Sequence, residues 1–196
     1  MGTSSQTSRR QRPARARLLD TAAKLFYTRG IAATGIDAIT SAAGVAKMSL
    51  YNNFDSKSSL VEAYVQARHE EWLGLYAARI RGIDSPRDAV LAVFDAYIDH
   101  ASLASEHGFR GCGLLNAAAE LEPGEPARLL VRQHKEQVED ILADHLARLL
   151  DGERAGRLAE HLAFLLEGAM VRAGLEEQEA RLIRARALAV DLLAGL

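Results

Sequence analysis

Between Lys47 and Asn53 the chain sets a lysine, a serine, a tyrosine and two asparagines within seven residues, just after the glycine of Ala43-Gly44-Val45. These side chains are hydrogen-bonding tools. Lys47 can meet a phosphate or guanine O6/N7. Ser49 can donate or accept. Asn52 and Asn53 can bond bases or phosphates, and Met48 can pack on a thymine methyl. Tyr51 carries a hydroxyl on a rigid arm. Lys57 opens the following helix, where backbone N–H groups and the helix dipole already favour an anion. Two readings compete: an ordinary polar helix face, or a surface that reads a polyanion.

The elements needed to position these residues are legible around them. Leu18, Ala22, Leu25 and Phe26 share a helical face, with Pro13 in the first turn and Gly30 at the end. Thr34 is a good N-cap for a second helix with apolar positions Ile36, Ile39 and Ala43, and Gly44 breaks it. A third helix is expected from about Ala46 to Phe54. Asp55 or Ser56 then caps a fourth that runs to about Ile80. Two short helices joined through a glycine turn, the second exposing polar groups, form a helix-turn-helix.

Charge distribution agrees. Met1 to Lys57 holds nine Lys/Arg against three acids, while the remainder holds 15 bases and 23 acids. A basic front on an acidic body suits contact with a polyanion, although a basic tail on an unrelated protein gives the same count. Residues 1–12 read as a disordered basic arm, either a solvated tail or a minor-groove contact.

Downstream, helical patterns recur over Val90 to Ser105, Leu114 to Leu121, Ala127 to Leu150, Glu153 to Ala173 and Glu176 to Ala194. With 48% apolar and 26% charged residues in 196, four prolines and no convincing strand alternation, the expectation is an all-α chain of about nine helices. No stretch is long and apolar enough for a membrane span, and none resembles a signal peptide. The lone cysteine, Cys112, cannot close an intrachain disulfide and suits a cytoplasmic protein. The six histidines form no tight ligand cluster, so neither a metal nor a cofactor is expected. No nucleophile elbow or phosphate-binding loop points to an enzyme.

From Gly30 through Thr34, Ala43-Gly44-Val45, Leu50-Tyr51, Phe54 and Ser56-Lys57 to Leu60, the chain resembles the DNA-binding domain of the TetR family of bacterial transcriptional regulators. The resemblance covers about Arg15 to Leu60. It implies phosphate contacts at Thr34, Tyr51 and Lys57, and base reading by Lys47, Met48, Ser49 and Asn52. Asn53 would lie near the DNA backbone, and Leu50 and Phe54 would be core. Met48, Asn52-Asn53 and Thr40 depart from the family pattern. The first two suggest an unusual operator and the third a tolerated core change.

The resemblance further implies a helix-turn-helix domain over 13–59 and an effector-binding and dimerisation domain over 60–196. Partners would be a near-palindromic double-stranded operator, a small-molecule effector and a second copy of the chain, bound through the last two helices. The function implied is a repressor released by its effector. The alternative is a vestigial pocket, with control by a protein partner or by oxidation of Cys112. Trp72, Tyr76, Phe94, Tyr97, Cys112, Asn116 and Phe164 are the candidate effector residues, with Glu120 a further polar group; Asn116 or Glu120 could orient a ligand, or simply cap and face solvent. Aromatics at helical spacing serve equally as plain core.

Overall fold

The computed structural model describes residues 13–105 and 108–196. The basic arm expected over 1–12 lies outside the described residues. Nine helices carry the described chain, and no strand occurs among the described residues. They are α1 (Ala14–Arg29), α2 (Ile36–Ala43), α3 (Lys47–Tyr51), α4 (Lys57–Arg79), α5 (Pro86–Ser105), α6 (Gly113–Ala119), α7 (Pro126–Leu146), α8 (Gly152–Glu176) and α9 (Ala180–Ala194).

The chain divides into two compact units. One runs to Ala67 and takes in Leu115–Leu130; the other holds Arg68–Leu114 and Val131–Leu196. In the first, α1 packs on both α2 and α3, and α2 on α3. Leu18, Ala22 and Phe26 of α1, Ile39 of α2, and Leu50 and Phe54 beside α3 are buried together in its core. Leu25, expected on the same face, is only half-buried. In the second unit, α9 packs on α8 and α5. Leu162, Leu166 and Met170 of α8 and Leu182, Ala185, Ala189 and Leu193 of α9 are buried there.

Helix ends follow local chemistry. Gly44 sits in the left-handed region (φ 64°, ψ 41°), where a Cβ is penalised, and its N–H reaches Ser41 O and Thr40 O. Ser56 and Ser59 satisfy each other's backbone N–H through their hydroxyls, both at 3.0 Å, in a reciprocal cap that starts α4. Asp151 accepts from the Arg154 N–H and starts α8. The α7 pattern stops at Leu146 rather than Leu150; the remaining residues form tight turns back onto Ala143 and Leu146.

Two expectations need correction. Thr34 is not the cap of α2; that position is Gly35, which makes no side-chain cap bond. Thr34 is buried, and its hydroxyl donates to Gly30 O at 2.6 Å and more weakly toward Leu25 O, bracing the end of α1 instead of facing a phosphate. Phe164 is 64% exposed on α8 and belongs to no interior. Thr40 is tolerated in the core because its hydroxyl bonds back to Ile36 O and Asp37 O.

Candidate nucleic-acid interface and polar interior

The helix α3 is five residues long, and its stability comes from packing. Leu50 and Phe54 anchor it with 0% and 4% exposure, so Lys47, Met48, Tyr51 and Asn52 are turned outward. Met48 is 68% exposed and Tyr51 46%, so both side chains are free to meet a partner at the surface. Asn53 spends its amide on Ser49 O at 2.7 Å, which secures the helix end, and Ser49 is half-buried. Arg15, from α1, lies 5.0 Å over the Phe54 ring, so its charge and the end of α3 share one surface.

The Lys47 ammonium is held by the Asp37 carboxylate at 2.8 Å. The hydrogen bond and the charge of Asp37 raise the lysine above its ordinary value. Sequence reading counted Asp37 among the few acids of the basic segment without giving it a role. Its place in the first turn of α2, where a carboxylate suits the helix dipole, was the available signal. Lys57 donates to Ile31 O at 2.6 Å; an ammonium has three donors, so this contact is compatible with a phosphate as well.

The second unit contains a cluster that ordinary packing does not require. Trp72, buried, stacks on Tyr76 (5.6 Å between centroids, 3° between planes) and meets the edges of Tyr97 and His134, each at 5.4 Å. His134 Nδ1 lies 3.0 Å from His69 Nδ1, so one ring donates and the other accepts. Tyr76 Oη and His145 Nε2 are 2.6 Å apart. The Lys135 ammonium pairs with Glu167 at 2.6 Å, approaches Tyr97 Oη at 3.4 Å, and lies 3.7 Å from Cys112 Sγ. Burial alone would lower the lysine, but the neighbouring sulfur, phenol oxygen and carboxylate outweigh it and hold it above its ordinary value. Burial raises Tyr97, with Lys135 opposing. The Trp72 indole N–H is buried without a partner.

Of the predicted effector residues, Trp72, Tyr76, Tyr97 and Cys112 therefore converge through Lys135 and His134. Phe94 is fully buried in the same unit, and Asn116 lies half-buried on α6 in the other. Lys135, His134 and Glu167 were missed by sequence reading. The one local sign was the adjacency of a histidine and a lysine on the inward side of α7. Among the described residues no three His, Cys, Asp or Glu side chains gather to hold a metal, and no helix is long and apolar enough to cross a membrane.

Residues 18–64 match the family model described as bacterial regulatory proteins, tetR family. The solved structure of SCO4454, a TetR-family transcriptional regulator from Streptomyces coelicolor, superimposes with a TM-score of 0.80 at 33% identity, covering 91% of this chain and 95% of that one. The chain belongs to the TetR family of bacterial transcriptional regulators. Among curated TetR-type regulators, the transcriptional repressor KstR2 of Rhodococcus jostii is 42% identical over 72 residues, 36% of this chain and 35% of that protein. The transcriptional activator FasR of Mycolicibacterium smegmatis is 32% identical over 101 residues, 52% of this chain and 44% of that protein. The chain thus spans less than half the length of these two relatives in alignment.

Buried imidazoles give the polar interior a pH signature. Burial, then Lys135, His69 and His100, push His134 down to about 3; burial, then Arg68 and Lys135, push His100 down to about 4. Above pH 6.5 both rings are neutral folded or unfolded. As pH falls, the unfolded rings take protons first, so the folded state loses stability from about 6.5 down through the folded values. Each ring contributes a slope of up to about 1.4 kcal/mol per pH unit in that window. Urea midpoints at pH 7, 5.5 and 4.5 should fall steadily, and His134→Gln should flatten the dependence. A midpoint unchanged between pH 7 and 4.5 would contradict the neutral, buried assignment.

Proposed function

We propose that this chain is a homodimeric cytoplasmic repressor that reads a near-palindromic operator through α3 and leaves it when a small molecule enters the second unit. The observation that carries the DNA-reading part is the outward row Lys47, Met48, Tyr51 and Asn52 over buried Leu50 and Phe54. A helix so anchored can enter the major groove with its polar groups toward base edges. Lys47 and Asn52 read bases with Met48 and Ser49, while Tyr51 and Lys57 meet phosphates and Asn53 lies near the DNA backbone. The repressor sense follows KstR2; FasR, named an activator, makes the direction of transcription the deciding readout.

Effector binding is supported by the interior around Tyr97. A core built only for stability gains little from an ammonium, imidazoles and a partnerless indole N–H, since each buried polar atom left unbonded costs about 1–3 kcal/mol. A ligand offering an acceptor to Trp72 Nε1 removes that cost. Helices α4, α6 and α7 each continue from one unit into the other, so displacement of their side chains in the interior has a covalent route to the reader. A second reading, control by oxidation of Cys112, is favoured by its sulfur lying 3.7 Å from the Lys135 ammonium. Peroxide that releases DNA reversibly from wild type but not from Cys112→Ser would establish it.

Dimerisation is supported by two matching exposed stripes. Phe164, Gly168, Val171 and Leu175 on α8, and Ile183, Ala187, Val190 and Ala194 on α9, each follow a 4-3-4 spacing and are exposed. That spacing is a helix-packing seam.

The test is selection of a preferred duplex from a random library by the full chain, followed by binding and in vitro transcription on it. Lys47→Ala and Asn52→Ala should relax preference at particular base pairs by about 1–3 kcal/mol each. Tyr51→Phe should weaken the selected and a scrambled duplex alike, because phosphates carry no sequence information. Recovery of no enriched sequence would overturn the proposal.

A further inference from the structure

The turn between α1 and α2 is held by side chains from distant parts of the chain. Gly30 N–H closes α1 on Phe26 O, and Gly30 O accepts from the Thr34 hydroxyl. Ile31 O accepts from Lys57 Nζ at 2.6 Å and from Thr34 N at 3.2 Å. Two adjacent donors, Ile31 N–H and Ala32 N–H, both go to one carboxylate: Glu120 Oε1 at 3.0 Å and Oε2 at 2.8 Å. Adjacent backbone N–H groups of this kind form a small anion-binding concavity, and Glu120 fills it.

The fit is close on both sides. Gly30 has φ +91°, and a Cβ there would stand 2.9 Å from Glu120 Oε1. The position therefore suits glycine on conformational and steric grounds together. Glu120 is itself placed. Its N–H bonds Ala117 O, and Arg128 Nη1 from α7 donates to Ala118 O and Leu121 O, fixing the end of α6 on either side of it.

We infer that Glu120 is a positioning residue for DNA reading: its carboxylate fixes the Gly30–Ala32 turn and with it the entry into α2, on which α3 packs. The inference rests on the regulator reading above but is separable from it. Without the clamp, two adjacent donors face water, the turn samples more conformations, and α2 must be ordered when DNA binds. That ordering subtracts from affinity for the preferred sequence. Charge acts in the opposite sense. Removing a carboxylate from the unit that carries α3 makes that unit less negative and should tighten binding to any duplex. Position and charge thus predict opposite signs.

The experiment uses the full chain as wild type, Glu120→Ala, Glu120→Gln and Glu120→Asp. Amide exchange at Ile31 and Ala32 is followed by NMR, and binding is measured on the selected duplex and on a scrambled one. Glu120→Ala should speed exchange of both amides at least about ten-fold and raise Kd for the selected duplex about ten-fold, with the scrambled duplex unchanged or bound more tightly. Glu120→Gln, with one acceptor oxygen in place of two, should fall between, and Glu120→Asp should restore part of the loss. Unchanged exchange in Glu120→Ala overturns the clamp whether or not a preferred duplex exists. Faster exchange with selected-duplex Kd unchanged, or tighter, overturns the positioning role. Failure to select any duplex overturns the regulator reading and leaves the exchange result to decide the clamp.

Discussion

The double variant Phe164→Glu/Leu188→Glu should run as a monomer at micromolar concentration and bind the selected duplex at least about a hundred-fold more weakly than wild type. Both side chains are exposed, at 64% and 51%, so the substitutions leave the protomer core intact. The matching stripes on α8 and α9 expose Val171, Leu175, Ile183 and Val190 as well, and the exposed Leu192 adds to the surface. An apolar surface of that extent is ordinarily covered, and an obligate pair would bury on the order of 2,000 Å² or more. Charges inside such a seam are uncompensated and desolvated. A lone α3 reads only half of a near-palindrome, so loss of the partner removes half of the base contacts together with their phosphate contacts. Light scattering and duplex titration on the same samples check this. A wild-type monomer, or a double variant that stays dimeric, would count against the surface. Leu166→Glu is a poor test although its sequence neighbourhood suggests it: Leu166 is 1% exposed, and the charge would enter the protomer's own core.

That contrast shows what the sequence made legible. Helix existence was readable throughout, because periodicity and cap residues act locally: Gly44 and Ser56 mark their boundaries by backbone conformation and hydroxyl chemistry. The reader helix was legible too, since Leu50 and Phe54 at i and i+4 can only be its buried side, leaving Lys47, Met48, Tyr51 and Asn52 outward. The faces of α8 were not. That helix is apolar over more than one stripe, and periodicity cannot say whether Leu162-Leu166-Met170 or Phe164-Val171-Leu175 meets the protomer's own α9. Thr34 failed for a similar reason. A threonine before a helix is a cap by propensity, but tertiary packing turned it onto the carbonyls of α1. The contacts of Glu120 and Lys135 were beyond local reading. Their partners lie 88 and 89 residues away for the one, and on three other parts of the chain for the other.

Lys135 also supplies the sharpest test of whether the polar interior serves structure or response. Its ammonium sits 2.6 Å from Glu167, and the two side chains are only 20% and 30% exposed. Removing one partner of a well-buried pair costs about 3–5 kcal/mol, because the survivor is left charged without compensation. Partial exposure here scales that to about 2–4 kcal/mol for Glu167→Ala, or a Tm lower by very roughly 4–16 °C in a chain of this size. Lys135→Met should lose less, since the methionine fills the space and Glu167, the more exposed partner, can turn toward water. Lys135→Met/Glu167→Leu removes both charges at similar volume and should return near wild-type stability or above it. If the pair exists for stability, Glu167→Ala and the double variant will be equally destabilised. If it exists for response, the double variant will be stable and bind the selected duplex, yet any small molecule that releases wild type from DNA will fail to release it. Thermal melts and duplex titration on these variants separate the two, and a Glu167→Ala variant as stable as wild type would show that water already reaches Lys135 and that the pair does not stabilise the fold.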